Sequence, residues 1–410
     1  MRQVNLTRSR FAAWAVAGFV IGSSGCAAQT EAVAQDDAPA QVEAPRVALL
    51  KTPDGGIQPQ AALDSKGVLH LIYYKGKPMA GDVFYVRRKP DEAAFSAPLR
   101  VNDRPDSAIA MGTIRGAQIT IGQNDRVHVA WNGTNGAEPQ GAGGNPILYS
   151  HLNDTSTAFA PQRNLITWAG GIDGGAAIAA DAKGHVYVAW HAAPAGQEDA
   201  ARVVYLTRSN DNGDTFEREK KINVQPTGAC ACCQMRALVD AKGTLHILYR
   251  AAGDNVNRDS MLLTSRDAGR SFQSATLHKW KIAACPMSSY ALTESDETVR
   301  AAWETNEQIF HGAIQSEAAV QAAPMKIPTP VAAPGNGDNR KHPVAVFNVG
   351  GELLLAWTES TGWNKGGSLA WQVYDKEGRP TPEKGRAEGV PVWGLLSAIA
   401  RPDGGFVLIH

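Results

Sequence analysis

Along most of this chain apolar and polar residues alternate, or apolar residues run together, over short stretches that end at turn residues. Val186-Tyr187-Val188-Ala189-Trp190 and Leu245-His246-Ile247-Leu248-Tyr249 are typical. A period of two, or a brief apolar run closed by turn residues, predicts β-strands with one or both faces buried. Aligning these strands on their final aromatic puts Tyr73, Trp131, Trp190, Tyr249, Trp303 and Trp357 in one column, with His410 in the same place at the C-terminus. The intervals are 58, 59, 59, 54, 54 and 53 residues. Nine positions before the column stand Asp64, Asp181, Asp240, Glu294 and Asn348, and six before it stand Gly67, Gly184, Gly243 and Gly351. An Asx-type side chain that opens a turn and a glycine that supplies positive φ make this a hairpin repeat.

A second strand pair follows each hairpin, for instance 82–88 with 98–102 and 203–208 with 220–224. Four short strands repeated every 53 to 59 residues predict a β-propeller, in which radial repetition leaves only short sheet edges. The fold class is therefore all-β, with seven blades of four-stranded antiparallel sheet; six blades with one hairpin outside the ring is the alternative. The seventh hairpin ends at His410 without outer strands, so the ring is expected to close by borrowing residues 46–52 as an outer strand.

Composition narrows the partners. Lysine plus arginine and aspartate plus glutamate each number 40, so no bulk field favours nucleic acid or a polyanion. Residues 1–26 have the layout of an export signal: Arg2, Arg8 and Arg10, an apolar stretch from Phe11 to Ile21, then small residues before Cys26. That ending resembles a bacterial lipobox, in which the cysteine carries lipid; Ser23 stands where a leucine is usual. Residues 27–45, rich in Ala, Pro and acids, read as a disordered tether, and 46–410 as one propeller domain. The expected location is periplasmic or on the outer membrane as a lipoprotein. Membrane contact is expected through the lipid only, and the chain is expected to be monomeric.

Two turns carry a sharper motif. Ser209-Asn210-Asp211-Asn212-Gly213-Asp214-Thr215-Phe216 and Ser265-Arg266-Asp267-Ala268-Gly269-Arg270-Ser271-Phe272 both fit S-x-D-x-G-x-[ST]-F. Here the chain resembles the sialidase-like superfamily, whose Asp-box, or BNR, turns have this form. The resemblance implies a propeller and places the boxes on the rim, away from any active site. Cys230-Ala231-Cys232-Cys233-Gln234, followed by Trp280-Lys281-Ile282-Ala283-Ala284-Cys285-Pro286, is similar to a pattern in exported bacterial BNR-repeat proteins. That likeness implies no particular reaction.

In an exported chain these four cysteines are expected to form disulfides. Cys285 would bridge to Cys232 or Cys233, stapling blades four and five, and Cys230 would pair with the remaining one. A thiolate metal site with His191 or His342, and a redox role, are the alternatives; neither metal nor cofactor is expected.

The residues after the aromatic column, Tyr74, Asn132, His191, Arg250, Glu304 and Thr358, are polar and differ from blade to blade. They are expected to line a funnel together with Arg115, Arg236, Arg340, Lys341 and His342 from the loops ahead of the inner strands, and with Asp254, Arg258 and Asp259. Guanidinium groups grip a carboxylate bidentately, so Arg115, Arg236, Arg250, Arg340, His342 and Asn132 form the candidate binding set for a glycan or sugar acid. The contrasting reading pairs each arginine with a neighbouring carboxylate, as Arg258 with Asp259. His70, His128, His185 and His246 read as packed strand residues. True sialidases use an arginine triad, a Tyr–Glu nucleophile pair and an acid, but Gly55–Ala61 lacks the arginine of that family's first blade. Weak catalytic candidates are Glu304, Asp259, Tyr290 and His191. The favoured function is a lipid-anchored glycan-binding propeller. An exo-acting glycosidase, or a lyase with His191 or Tyr249 as base, is the alternative, and an envelope assembly or metal-handling role for the cysteines is the third.

Overall fold

The computed structural model describes residues 45–410, apart from 113–114, 141–143, 195, 297, 315–326 and 328. The export signal, Cys26 and almost all of the tether lie outside the described residues. Seven sheets follow one another along the chain. Six are four-stranded antiparallel meanders, such as blade four with Arg236–Val239, Leu245–Arg250, Ser260–Ser265 and Gln273–His278. The first strands of consecutive blades contact one another, and that of blade seven, Ser397–Ala400, contacts that of blade one, Ile57–Leu63. The ring is therefore seven-bladed with the first strands innermost, and the six-bladed alternative falls.

Blade seven has three strands among the described residues. Val47–Leu50 pairs with Phe406–Ile409, from Val47 opposite Phe406 to Leu50 opposite Ile409. The borrowed strand was expected; its parallel direction was not. In the other blades the third strand runs antiparallel to the second. Here the strand must deliver the chain to Ile57, at the face where inner strands begin, so it takes the third position in the direction of a fourth strand. Beyond the ladder, the Thr52 N–H donates to the His410 carbonyl at 2.8 Å and the Phe406 N–H to the Arg46 carbonyl at 2.7 Å.

The hairpin column behaves as its chemistry predicts. Asp64, Asp181 and Asp240 each accept two backbone N–H groups from the turn they open, and Asn348 does the same. Gly67, Gly184, Gly243 and Gly351 hold φ between 75 and 88°. Glu294 departs from the pattern, accepting the Ala241 N–H of the neighbouring blade. Tyr73, Trp131, Trp190, Tyr249, Trp303 and Trp357 are all buried and fill the spaces between sheets. His70, His128 and His246 are buried strand residues; His70 and His246 lie against the turn aspartates and His128 against Tyr149.

Both Asp boxes form as capped turns. Asp211 accepts the Ser209 hydroxyl at 2.6 Å and the Thr215 N–H at 2.8 Å, while Ser209 Oγ accepts the Gly213 N–H at 2.8 Å. Asp267 repeats the arrangement with Ser265 and Ser271. Phe216 meets Tyr149 of blade two edge to face at 4.8 Å, so the box also clamps adjacent blades. Partial burial pushes the Asp211 carboxyl up, but the hydrogen bonds from Ser209 and Thr215 outweigh it and hold the group at about 2, below its ordinary 3.8. A depressed folded value means that the stabilisation is full above the unfolded value and fades as pH falls. Asp211→Asn should therefore lower unfolding free energy by about 1 kcal/mol at neutral pH. In urea titrations the deficit should shrink between about pH 4 and about pH 2.

Candidate functional site

The inner strands enclose a channel of about 440 Å³, lined from blades one, four, five, six and seven. At the face where these strands begin, its wall is polar: Gln60, Gln234, Arg236, Ser289, His342 and Ser397. Towards the opposite face it turns apolar, with Leu63, Val346 and Phe347, and Glu294 stands among them. Thirteen positions ahead of the aromatic column, Gln60, Gln118 and Arg236 stand at one level on the inner strands of blades one, two and four. Arg236 Nη1 donates to Gln60 Oε1 at 2.7 Å and to Gln118 Oε1 at 3.4 Å. No carboxylate pairs with this guanidinium among the described residues; burial alone acts on it, lowering it to about 10, so it is charged at neutral pH.

The backbone around this mouth is strained. Gln58, Met287, His342 and Trp393, none of them glycine, hold φ of 55, 49, 52 and 56° just ahead of or at the start of four inner strands. Gln58 and His342 sit in β-bulges. Such conformations cost roughly 1–2 kcal/mol each and persist where surrounding contacts enforce them, as functional sites commonly do. The Gln58 amide is one enforcer: its Nε2 donates to the carbonyls of Ala110 at 2.9 Å, Gly112 at 3.1 Å and Trp393 at 3.1 Å, tying the loops ahead of blades two and seven to the first strand of blade one. Beside them Trp363, 47% exposed, lies edge-on to Trp393 with ring centres 6.2 Å apart. Lys341 and His342 share that corner, and His342 also lines the channel.

The arginines do not converge into a clamp. Arg115 pairs with Asp173 and donates to the Met111 carbonyl at 2.7 Å. Arg340 pairs with Glu359 at 3.2 Å and lies over Trp357. Arg250 is buried over Trp280 and Tyr290 and donates to the carbonyls of Arg258 at 2.9 Å and Glu304 at 2.8 Å. The expected Arg258–Asp259 pairing is replaced: Arg258 reaches across to Asp199 at 3.1 Å, and Asp259 accepts the Trp280 N–H at 2.8 Å. Asp254 accepts the Asn257 amide at 3.2 Å. Lys341 donates to the Pro286 carbonyl at 2.5 Å.

The variable polar column serves as stitching and does not open to solvent. Tyr74, Asn132, His191, Arg250, Glu304 and Thr358 are all buried. Asn132 donates to the Gly174 carbonyl at 2.7 Å, His191 Nε2 to the Cys233 carbonyl at 3.2 Å and Arg250 to Glu304, each reaching the next blade. Burial lowers His191 to about 4. The Glu304 carboxyl meets only the Ser288 hydroxyl and the Tyr290 hydroxyl only the Ser260 hydroxyl among the described side chains, and burial raises the proton affinity of both groups. Sequence reasoning missed Trp363 and Trp393. Their signal was present: they are tryptophans outside the aromatic column, in glycine-flanked turns.

The cysteines lie where blades four and five meet, but as free thiols. Cys230, Cys232 and Cys233 are buried and Cys285 is exposed. Cys230 Sγ stands 3.3 Å from Cys232 Sγ, and Cys285 hydrogen-bonds with Cys232. The expected bridges from Cys285 and from Cys230 are thus not formed. One tight turn, closed by the Cys233 N–H on the Cys230 carbonyl at 3.3 Å, converges three sulfurs at contact distance, well beyond the ~2.05 Å of a covalent bridge. Burial pushes the Cys233 thiol up, but hydrogen bonds from Cys230 and Cys232 and the Arg250 charge bring it well below the ordinary range. A hydrogen bond from Cys232 lowers Cys285 to about 7.

No protein-family model matches the sequence, and no curated protein does. Among solved structures the chain is similar to a protein of unknown function from Dyadobacter fermentans, with 14% identity and a TM-score of 0.47 over 77% of this chain and 93% of that one. It is also similar to the Hadza microbial sialidase Hz136, at 14% identity and a TM-score of 0.44 over 78% of this chain and 69% of that one. The α-L-arabinanase of Penicillium chrysogenum, complexed with arabinobiose, matches at 12% identity and a TM-score of 0.46 over 78% and 94%. The seven-bladed propeller itself stands on the sheet order and on the contacts between inner strands.

The two kinds of arginine separate experimentally. Arg250→Met strands two buried carbonyls and should lower unfolding free energy by roughly 3 kcal/mol in chemical denaturation. Arg236→Gln, held only by amide oxygens in the channel, should change it by less than about 1 kcal/mol.

Proposed function

We propose that this protein is an exported, lipid-tethered propeller that binds acidic glycans at the channel mouth, and that Arg236 receives the sugar carboxylate. One observation carries the reading: Arg236 is a charged guanidinium in a confined channel with amide oxygens, and no carboxylate among the described residues, as its partners. A planar anion satisfies such a group bidentately. The polar wall of Gln60, Gln234, Ser289 and Ser397 offers donors and acceptors to hydroxyl groups, and Trp363 offers an exposed aromatic face for a sugar ring. A volume of about 440 Å³ falls within the range of small-ligand sites.

Binding is favoured over turnover. A hydrolase or lyase needs its acid or base at the ligand. Glu304 and His191 are sealed beneath the loops, and Asp259 is engaged by the Trp280 backbone. Export and anchoring rest on the arginine-rich leader and the small residues before Cys26. Cells given an alkyne-labelled fatty acid should therefore label the wild type and not Cys26→Ser.

The site reading is tested by calorimetry with sialylated, uronic-acid and neutral oligosaccharides. Acidic glycans should bind, Arg236→Gln should weaken them at least ~10-fold, about 1.4 kcal/mol, and Trp363→Ala by a similar factor. Equal affinity for neutral glycans, or an unaffected Arg236→Gln, would overturn it.

A further inference from the structure

We infer that Cys230, Cys232 and Cys233 form a three-thiolate binding site for a single Cu(I) ion, with Cys285 at its entrance. The inference is independent of the channel reading and rests on other residues.

The sulfurs of Cys230, Cys232 and Cys233 all lie within 4.8 Å of one another, brought together by one turn and buried. Three thiolates around one ion stand at about this mutual separation, because metal–sulfur bonds near 2.3 Å place their ligands roughly 4 Å apart. Cys285 arrives from the next blade and touches Cys232. Being exposed, it gives the cluster a contact with solvent through which an ion can enter.

The surroundings are soft and cationic. Met287, two residues past Cys285, packs against the cluster and adds a thioether. Sulfur ligands of both kinds select a soft ion. His191 adjoins the site: its Nε2 donates to the Cys233 carbonyl, and its buried Nδ1 has no hydrogen-bond partner among the described residues. The Arg250 and Arg258 guanidinium groups lie close enough to the sulfurs for direct electrostatic interaction. Three thiolates around Cu(I) carry a net charge of −2, which these two arginines offset. Structural zinc takes a closed tetrahedral set, whereas the buried set supplied here is three sulfurs from one turn. Binding involves no change of oxidation state: three S–H protons pass to solvent as three Cu–S bonds form.

The test uses the full chain carrying Cys26→Ser, reduced and desalted without oxygen, then titrated with Cu(I) against a chromophoric Cu(I) chelator. One equivalent should leave the chelator, and a sulfur-to-copper ultraviolet absorption should appear with the same endpoint. Cys233→Ser should weaken retention by about 100-fold or more. Cys285→Ser, at an exposed position without risk to folding, should weaken it by about 10-fold; circular dichroism checks that both variants fold. Four outcomes would overturn the inference. One is failure to withdraw copper. Another is undiminished retention by Cys233→Ser. The third is a bound Zn(II) that one equivalent of Cu(I) does not displace. Two disulfides in the unreduced protein as isolated from cells, found by intact mass, would overturn it as well.

Discussion

The ring stands on four residue pairs. Val47–Leu50 against Phe406–Ile409 is where the two ends of the described chain meet, and every other blade is held in order by continuous chain. Without that ladder, blades one and seven would meet through side-chain packing and a few hydrogen bonds made by side chains, such as that from the Ala61 N–H to Ser397 Oγ at 2.9 Å. The channel would then lose its closed wall. Its mouth depends on the same closure, because Gln58 of blade one holds the Trp393 carbonyl of the loop ahead of blade seven.

Two sites of different character share the face where the inner strands begin. The polar end of the channel is buried, and there stand Arg236, whose described partners are amide oxygens, and two tryptophans outside the column. The sulfur cluster is buried beside it, with Met287 and His342 both close to the boundary between the two. Loops of varied chemistry on a regular ring fit a scaffold whose repeat supplies stability and whose loops supply function.

How much was legible in the sequence follows from how far each interaction reaches along the chain. The hairpin turns were legible because Asp240 and Gly243 act on residues within four positions, and the tryptophan column because it recurs. The closing strand was legible from the missing outer strands, but its direction depended on where the chain had to arrive. The arginine partners were not legible. Arg115 meets Asp173 and Arg258 meets Asp199 across blades, at separations of 58 and 59 residues that no local pattern marks. The cysteines were placed at the correct junction, yet whether they bridge depends on the path of one turn, which composition and compartment do not specify.

The parallel direction of the closing strand also has a mechanical consequence. Val47 lies beside Phe406, at the face opposite the channel mouth, and Leu50 lies beside Ile409 near the mouth. Tension applied upstream of Arg46 therefore pulls from the far side of the ring, along the axis of the strands. The ladder bonds are then loaded together in shear and cannot be peeled one at a time. A ligand held at the mouth would pull against the same four pairs, so the seam that closes the molecule is also oriented to carry its load.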